Sequence, residues 1–155
     1  MIKIIRTTSD HPDFVSLVSY LDAYLAEMDG EDHAFYDQFN KIEKIKHVVL
    51  AYDNDIPAGC GAIKEFSPGV MEIKRMYTSP DHRGKGIASQ ILNELELWTS
   101  EIGFIKCILE TGKKQEEAIH LYSKSGFKLI PNYGQYIGVE NSICFEKVVS
   151  SGPGN

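Results

Sequence analysis

The sequence predicts an α/β (α+β) fold in which helices pack on a mixed sheet, in the order β-α-α-β-β-β-α-β-α-β-β. Three observations carry this. The spacing of apolar residues switches repeatedly between two-residue alternation and three- and four-residue steps. One near-continuous apolar run, Phe104 to Leu109, reads as a strand covered on both faces. The chain has 155 residues, 43% hydrophobic and 25% charged, which suits one globular core and excludes a disordered or fibrous chain. Residues 1–149 are read as one domain and 150–155, rich in Ser and Gly, as a flexible tail. Two-layer and three-layer packing both remain open at this point.

Residues 2–6 read as a short strand. Ser9 or Asp10 can cap a helix whose first turn holds Pro12. Phe14, Leu17, Val18, Leu21, Tyr24 and Leu25 then form one stripe, and Gly30 ends it. A weaker helix is expected from about Asp32 to Ile42, with Phe35, Phe39 and Ile42 on one side. Residues 46–52, 56–66 and 70–77 read as three strands of a meander, joined by Asp53-Asn54-Asp55 and Ser67-Pro68-Gly69. In the third strand Met71 and Ile73 take one face, and Glu72 and Lys74 the other, polar one. Ile87, Ile91, Leu95, Trp98 and Ile102 then define a long amphipathic helix that stops near Gly103. After the Phe104–Leu109 strand comes a helix over 115–125, with Ala118, Leu121 and Tyr122 inward and Gly126 as its stop. Phe127–Ile130 and Ser142–Val149 are the closing strands.

The charge balance is 16 Lys+Arg against 22 Asp+Glu, or −6, which argues against a general nucleic-acid binder. Cys60, Cys107 and Cys144 lie far apart without metal-ligand spacing, so no metal site is expected and the thiols read as reduced, in a cytoplasmic protein. The opening Met1-Ile2-Lys3-Ile4-Ile5-Arg6 is too quickly charged for a secretory leader, and no run approaches the ~20 apolar residues of a membrane span.

The chemistry is concentrated between Lys74 and Ala88. Gly84 and Gly86 stand between a strand and the long helix. Glycine lets backbone turn tightly and approach a ligand. The first amides of a helix have no internal acceptor and, with the helix dipole, suit phosphate oxygens. The dipole adds only ~0.3–1 kcal/mol, so the N–H bonds must do most of the binding. Lys74, Arg75, Arg83 and Lys85 stand here against one acid, Asp81, so a polyanion would be drawn to this place. Neither a GxxxxGK[ST] loop nor GxGxxG is present, since Ser89 takes the third glycine position.

Asp81-His82-Arg83-Gly84-Lys85-Gly86 resembles the pyrophosphate-binding motif of GNAT-type acyl-CoA N-acyltransferases, Gln/Arg-x-x-Gly-x-Gly/Ala, with Asp81 departing at the first position. The resemblance runs from about residue 46 to 149 and includes MEIKRMYTSP, CILETG and QEEAIHLYSKSGF in the family's order. It implies a central, mostly antiparallel sheet flanked by helices, and acetyl-CoA as cosubstrate. It implies that backbone groups of Met76 and Tyr77, with Thr78 at the end of that edge, meet the pantetheine arm. The loop amides from Arg83 through Gly84, Lys85, Gly86 and Ile87 to Ala88 would hold the pyrophosphate. Gln115, seven residues before Tyr122, would stand in for an Asn of relatives that contacts the cofactor arm.

The implied reaction is direct attack of an amine on the acetyl carbon. An alkyl amine has pKa ~10 and must lose a proton first, and the leaving thiolate, near ~8.5, departs better beside a donor. Tyr122, in Leu121-Tyr122-Ser123-Lys124-Ser125-Gly126-Phe127, is the donor implied by the family's Leu-Tyr-x-x-x-Gly-Phe pattern. Glu72 is the base candidate, and an N–H near Met76 or Tyr77 the oxyanion donor. Residues 22–43 hold seven acids and one base, with Phe35, Tyr36 and Phe39 interleaved. That composition suits either a solvated acidic helix or attraction of a cationic amine. The acceptor expected is a small amine, with peptide or protein amines behind it. The rival reading is a non-catalytic acyl-CoA-binding or sensor module. Dimers are common in the family, and the apolar C-terminal strands are the candidate face for a homodimer.

Overall fold

A computed structural model of the chain describes residues 1–32, 35–36 and 44–150. Its elements are β1 (Ile2–Thr7), α1 (Pro12–Asp29), β2 (His47–Asp53), β3 (Ile56–Ser67), β4 (Val70–Thr78), α2 (Ile87–Glu101), β5 (Lys106–Gly112), α3 (Glu116–Lys124), β6 (Lys128–Ile130) and β7 (Ser142–Val148). The seven strands form one mixed, mostly antiparallel sheet in the order β1-β2-β3-β4-β5-β7-β6. The order of elements expected from periodicity is therefore the order observed. The exception is the helix expected over 32–42, which lies outside the described residues except at 32, 35 and 36. Among the described residues no helix is long and apolar enough to cross a membrane.

The chain packs as two compact units, Met1–Ala62 with Arg75–Ile91, and Ile63–Lys74 with Leu92–Asn155. In the first, β1 runs antiparallel to β2, from Ile2↔Asp53 to Thr7↔Val48. Phe14, Leu17 and Val18 of α1 share a core with Val48, Leu50, Cys60 and Ala62 of β2 and β3. Each buried Phe, Leu or Val among them contributes roughly 1.5–3 kcal/mol. The helix is capped by His11 rather than Ser9 or Asp10: the His11 Nδ1 accepts from the Asp13 N–H at 3.1 Å. Ser9 is occupied elsewhere, its hydroxyl accepting from the Ile45 N–H at 2.8 Å and its own N–H donating to Ile45 O. Asn54 and Asp55 both take positive φ, 50° and 69°, which is the two-residue hairpin turn that Asp/Asn chemistry favours.

In the second unit β5 lies between β4, parallel through Val70↔Lys106 to Glu72↔Ile108, and β7, antiparallel from Lys106↔Val148 to Gly112↔Ser142. Cys107, Ile108 and Leu109 are consecutive buried residues, as a strand covered on both faces requires. The apolar stripe of α2 ends differently from expectation. Ile102 is 38% exposed, and the fully buried residue of that turn is Thr99. Its hydroxyl is satisfied by Leu95 O at 2.8 Å and accepts from the Cys107 thiol at 3.4 Å, so burial leaves no polar orphan.

Candidate functional site

The strand-to-helix turn is built in the first unit. Ser79 N–H donates to Ala58 O at 2.8 Å, Pro80–His82 make one 3-10 turn, and Arg83 N–H closes on Pro80 O at 3.4 Å. Gly84 and Gly86 then take φ of 80° and 76°, the left-handed region where a Cβ is penalised. The first helical bond runs from Gln90 N–H to Gly86 O at 3.1 Å. The six N–H groups from Gly84 to Ser89 have no acceptor among the described residues. A Cβ built on Gly84 or Gly86 would meet no atom of the described residues within 4 Å. Consecutive outward amides at the head of a 15-residue helix form an anion cradle of the kind diphosphates use. Before this turn, the backbone edge of β4 is fixed by close approach. A Cβ on Gly59 would lie 2.8 Å from Tyr77 O and 3.0 Å from Ile91, so only glycine lets β3 sit there.

The local cationic excess expected from composition is reduced by partners distant in sequence. Lys85 Nζ donates to Asp53 Oδ2 at 2.6 Å, and His82 Nδ1 lies 2.9 Å from the same oxygen. Arg75, at φ 60°, donates to Asp22 at 2.6 Å. Arg83 lies over the Tyr24 ring, 5.8 Å from its centroid. The turn therefore offers an anion its amides first, with the side-chain charge of Lys85 and Arg75 already shared with carboxylates.

Asp53 is the hub that ties the loop to the β2–β3 hairpin. It is only 6% exposed, and the Lys85 and then the His82 hydrogen bond hold its carboxyl below the usual range. A depressed carboxyl contributes stability above its unfolded pKa of ~3.9 and loses it as pH falls through the lower folded value. Asp53→Asn is therefore expected to lower the melting temperature near neutral pH. The gap to the wild type should close progressively below about pH 4, as thermal scans across pH would record.

The second unit holds the other site candidates. Tyr122 is buried on α3, tilted against Phe145 at 6.0 Å and edge-on to Phe127 at 5.8 Å. Its hydroxyl has no hydrogen-bond partner among the described residues. Burial first, and then the Glu110 carboxylate, push its phenol above the usual value. Glu72 departs from the polar-surface placement expected of it. It is 8% exposed, and its Oε2 accepts from the Tyr133 hydroxyl at 2.7 Å. Gln115 caps α3, its amide nitrogen 3.4 Å from where a Gly112 Cβ would stand. Tyr133 is a site residue that sequence reasoning missed. Its bond to Glu72 spans 61 positions, and the only local signal was the turn chemistry of Asn132-Tyr133-Gly134.

The thiols do not compete for the chemistry. Burial pushes Cys60 up to about 12 and Cys107 and Cys144 up to about 11, so none carries appreciable thiolate at neutral pH. Among the described residues no three His, Cys, Asp or Glu gather in a way that could hold a metal ion.

Comparison with known proteins bears on both halves of this description. A profile of the acetyltransferase (GNAT) family matches residues 15–127. The IAA acetyltransferase of Azospirillum brasilense is 30% identical over 148 residues, covering 94% of this chain and 97% of that protein. A Klebsiella pneumoniae structure, provisionally assigned as an acyl-CoA N-acyltransferase, is 25% identical with a TM-score of 0.80, over 96% of this chain and 98% of that one. A GNAT acetyltransferase from Elizabethkingia anophelis with acetyl-CoA bound shares the fold at a TM-score of 0.67 and 19% identity, over 95% of this chain and 97% of that one. The family model spans most of the chain, and the turn with its unsatisfied amides falls inside it: this protein belongs to the acetyltransferase (GNAT) family.

Proposed function

We propose that the protein is an acetyl-CoA-dependent N-acetyltransferase that acts on a small amine by direct attack. The observation that carries this reading is the row of N–H groups from Gly84 to Ser89, without an acceptor among the described residues, at the head of α2. The amides from Gly84 to Ala88 take the diphosphate of acetyl-CoA, while the Arg83 N–H, expected to join them, is used by Pro80 O. The backbone of Met76, Tyr77 and Thr78 takes the pantetheine arm, and Gln115 offers its side-chain amide to the same arm. The acetyl-CoA-bound Elizabethkingia structure shows that this fold accommodates the cosubstrate in that protein.

The chemistry follows from the protonation states. The acceptor arrives as an ammonium, and Glu72 draws a proton from it, directly or through water. The freed nitrogen pair forms a C–N bond to the acetyl carbon while the C–S bond breaks and its electron pair leaves on sulfur. Products are the N-acetyl amine, CoA thiol and one proton released to solvent, with no net change in oxidation state. The Tyr122 phenol is held above its usual value of ~10 and the CoA thiol lies near ~8.5. Complete proton transfer from tyrosine to thiolate is therefore uphill. Tyr122 serves by hydrogen-bonding the developing thiolate; of the two protons the nitrogen loses, the first leaves through Glu72 to solvent and the second, lost as the C–N bond forms, ends on sulfur through solvent.

Thiol release from acetyl-CoA against a panel of amines, amino acids and peptides tests this reading. Saturable turnover with at least one small amine is the expected result. CoA binding without turnover for any acceptor would leave the non-catalytic sensor module in its place. An equal rate for cationic and neutral amino compounds would remove the role of the acidic segment 22–43 in drawing the acceptor.

A further inference from the structure

We infer that Tyr133 is a positioning residue for Glu72, fixing its carboxylate for the proton transfer that starts acyl transfer; this rests on Glu72 being the base. Glu72 lies on β4 beside the parallel pairing with β5, and burial removes it from bulk water. A buried carboxylate without donors is strongly disfavoured, so whichever group bonds it sets its geometry and its charge. Here that group is one phenol, at 2.7 Å from Oε2. Oε1 takes no hydrogen bond from the described residues, which leaves it for water or an ammonium.

The phenol is itself held rigidly. Its ring is edge-on to Phe66 at 5.1 Å and to Tyr136 at 5.7 Å. The loop that carries it is closed by Asn132, whose side-chain amide donates to Tyr136 O at 3.1 Å and Val139 O at 3.0 Å. Tyr136 and Cys144 also face this carboxylate, with Glu110 facing Tyr136 in turn. Tyr133 also stays protonated, because burial and then the Glu72 charge raise its phenol far above the usual value.

Tyr133→Phe keeps the ring and removes the hydroxyl, and two readouts test it. In thiol-release kinetics, kcat should fall ~10-fold with KM for acetyl-CoA unchanged. In a double-mutant cycle, Tyr133→Phe should change kcat by less than about twofold once Glu72 is Gln, because the hydroxyl acts through that carboxylate. An unchanged kcat in the single variant, or an equal fall in both backgrounds, would overturn the positioning role and assign Tyr133 to packing. If Glu72→Gln instead retains wild-type turnover, it is the base reading that fails, and the inference falls with it.

Discussion

Tyr122→Phe is expected to lower kcat for thiol release about 100-fold, at the low end of what a positioned donor supplies, with acetyl-CoA affinity changed by no more than about twofold. The substitution is clean because the hydroxyl has no partner among the described residues. The ring packs against Phe127 and Phe145, contacts that phenylalanine preserves. Removing an unbonded hydroxyl from a buried ring leaves no orphaned protein acceptor, so folding should be unaffected. What disappears is the bond to the departing sulfur, made only as charge develops there, and such an interaction is read in kcat rather than in KM. Steady-state kinetics with calorimetric affinity for CoA would check it. An unchanged kcat would assign Tyr122 to packing.

The double substitution Gly84→Ala, Gly86→Ala is expected to weaken CoA binding by ~10–100-fold. A non-glycine residue in this φ region costs about 1–3 kcal/mol, and 1.4 kcal/mol is tenfold in affinity. Two outcomes compete. The turn can keep its shape and lower stability, or relax to negative φ and turn its amides away. The surroundings favour the second: among the described residues no atom stands within 4 Å of either added Cβ to hold the turn in the strained form. Calorimetry should therefore record a loss of affinity with little change in melting temperature. Undiminished affinity would mean that these amides do not hold the ligand.

Local chemistry made most of the architecture legible in advance. Alternation in β2 to β4 and the four-residue steps of α2 are short-range patterns, and those elements formed where the patterns lay, whereas the run Phe104–Leu109 placed its strand two residues early, since β5 spans Lys106–Gly112 and Ile105 is exposed. The turn at Gly84 and Gly86 was legible for the same reason, because left-handed backbone before a helix asks for glycine. What was not legible depended on distant partners. Ser9 looked like a cap, but Ile45, 36 positions away, uses its hydroxyl and leaves the cap to His11. Lys85 and Arg75 counted as available charge until Asp53 and Asp22 were seen to share it. Alternation put Glu72, the base candidate, on the polar face of its strand and does not say what covers that face. Its partner, Tyr133, comes from a loop with no period to read.

The central claim is that the row of amides opening α2 receives the diphosphate of CoA. It is tested most directly by amide proton–nitrogen spectra of the labelled protein during titration with CoA. The largest shifts should fall on Gly84, Lys85, Gly86, Ile87 and Ala88, saturating together with one affinity. Saturable binding that leaves those five amides unmoved, or no binding at all, would contradict the account.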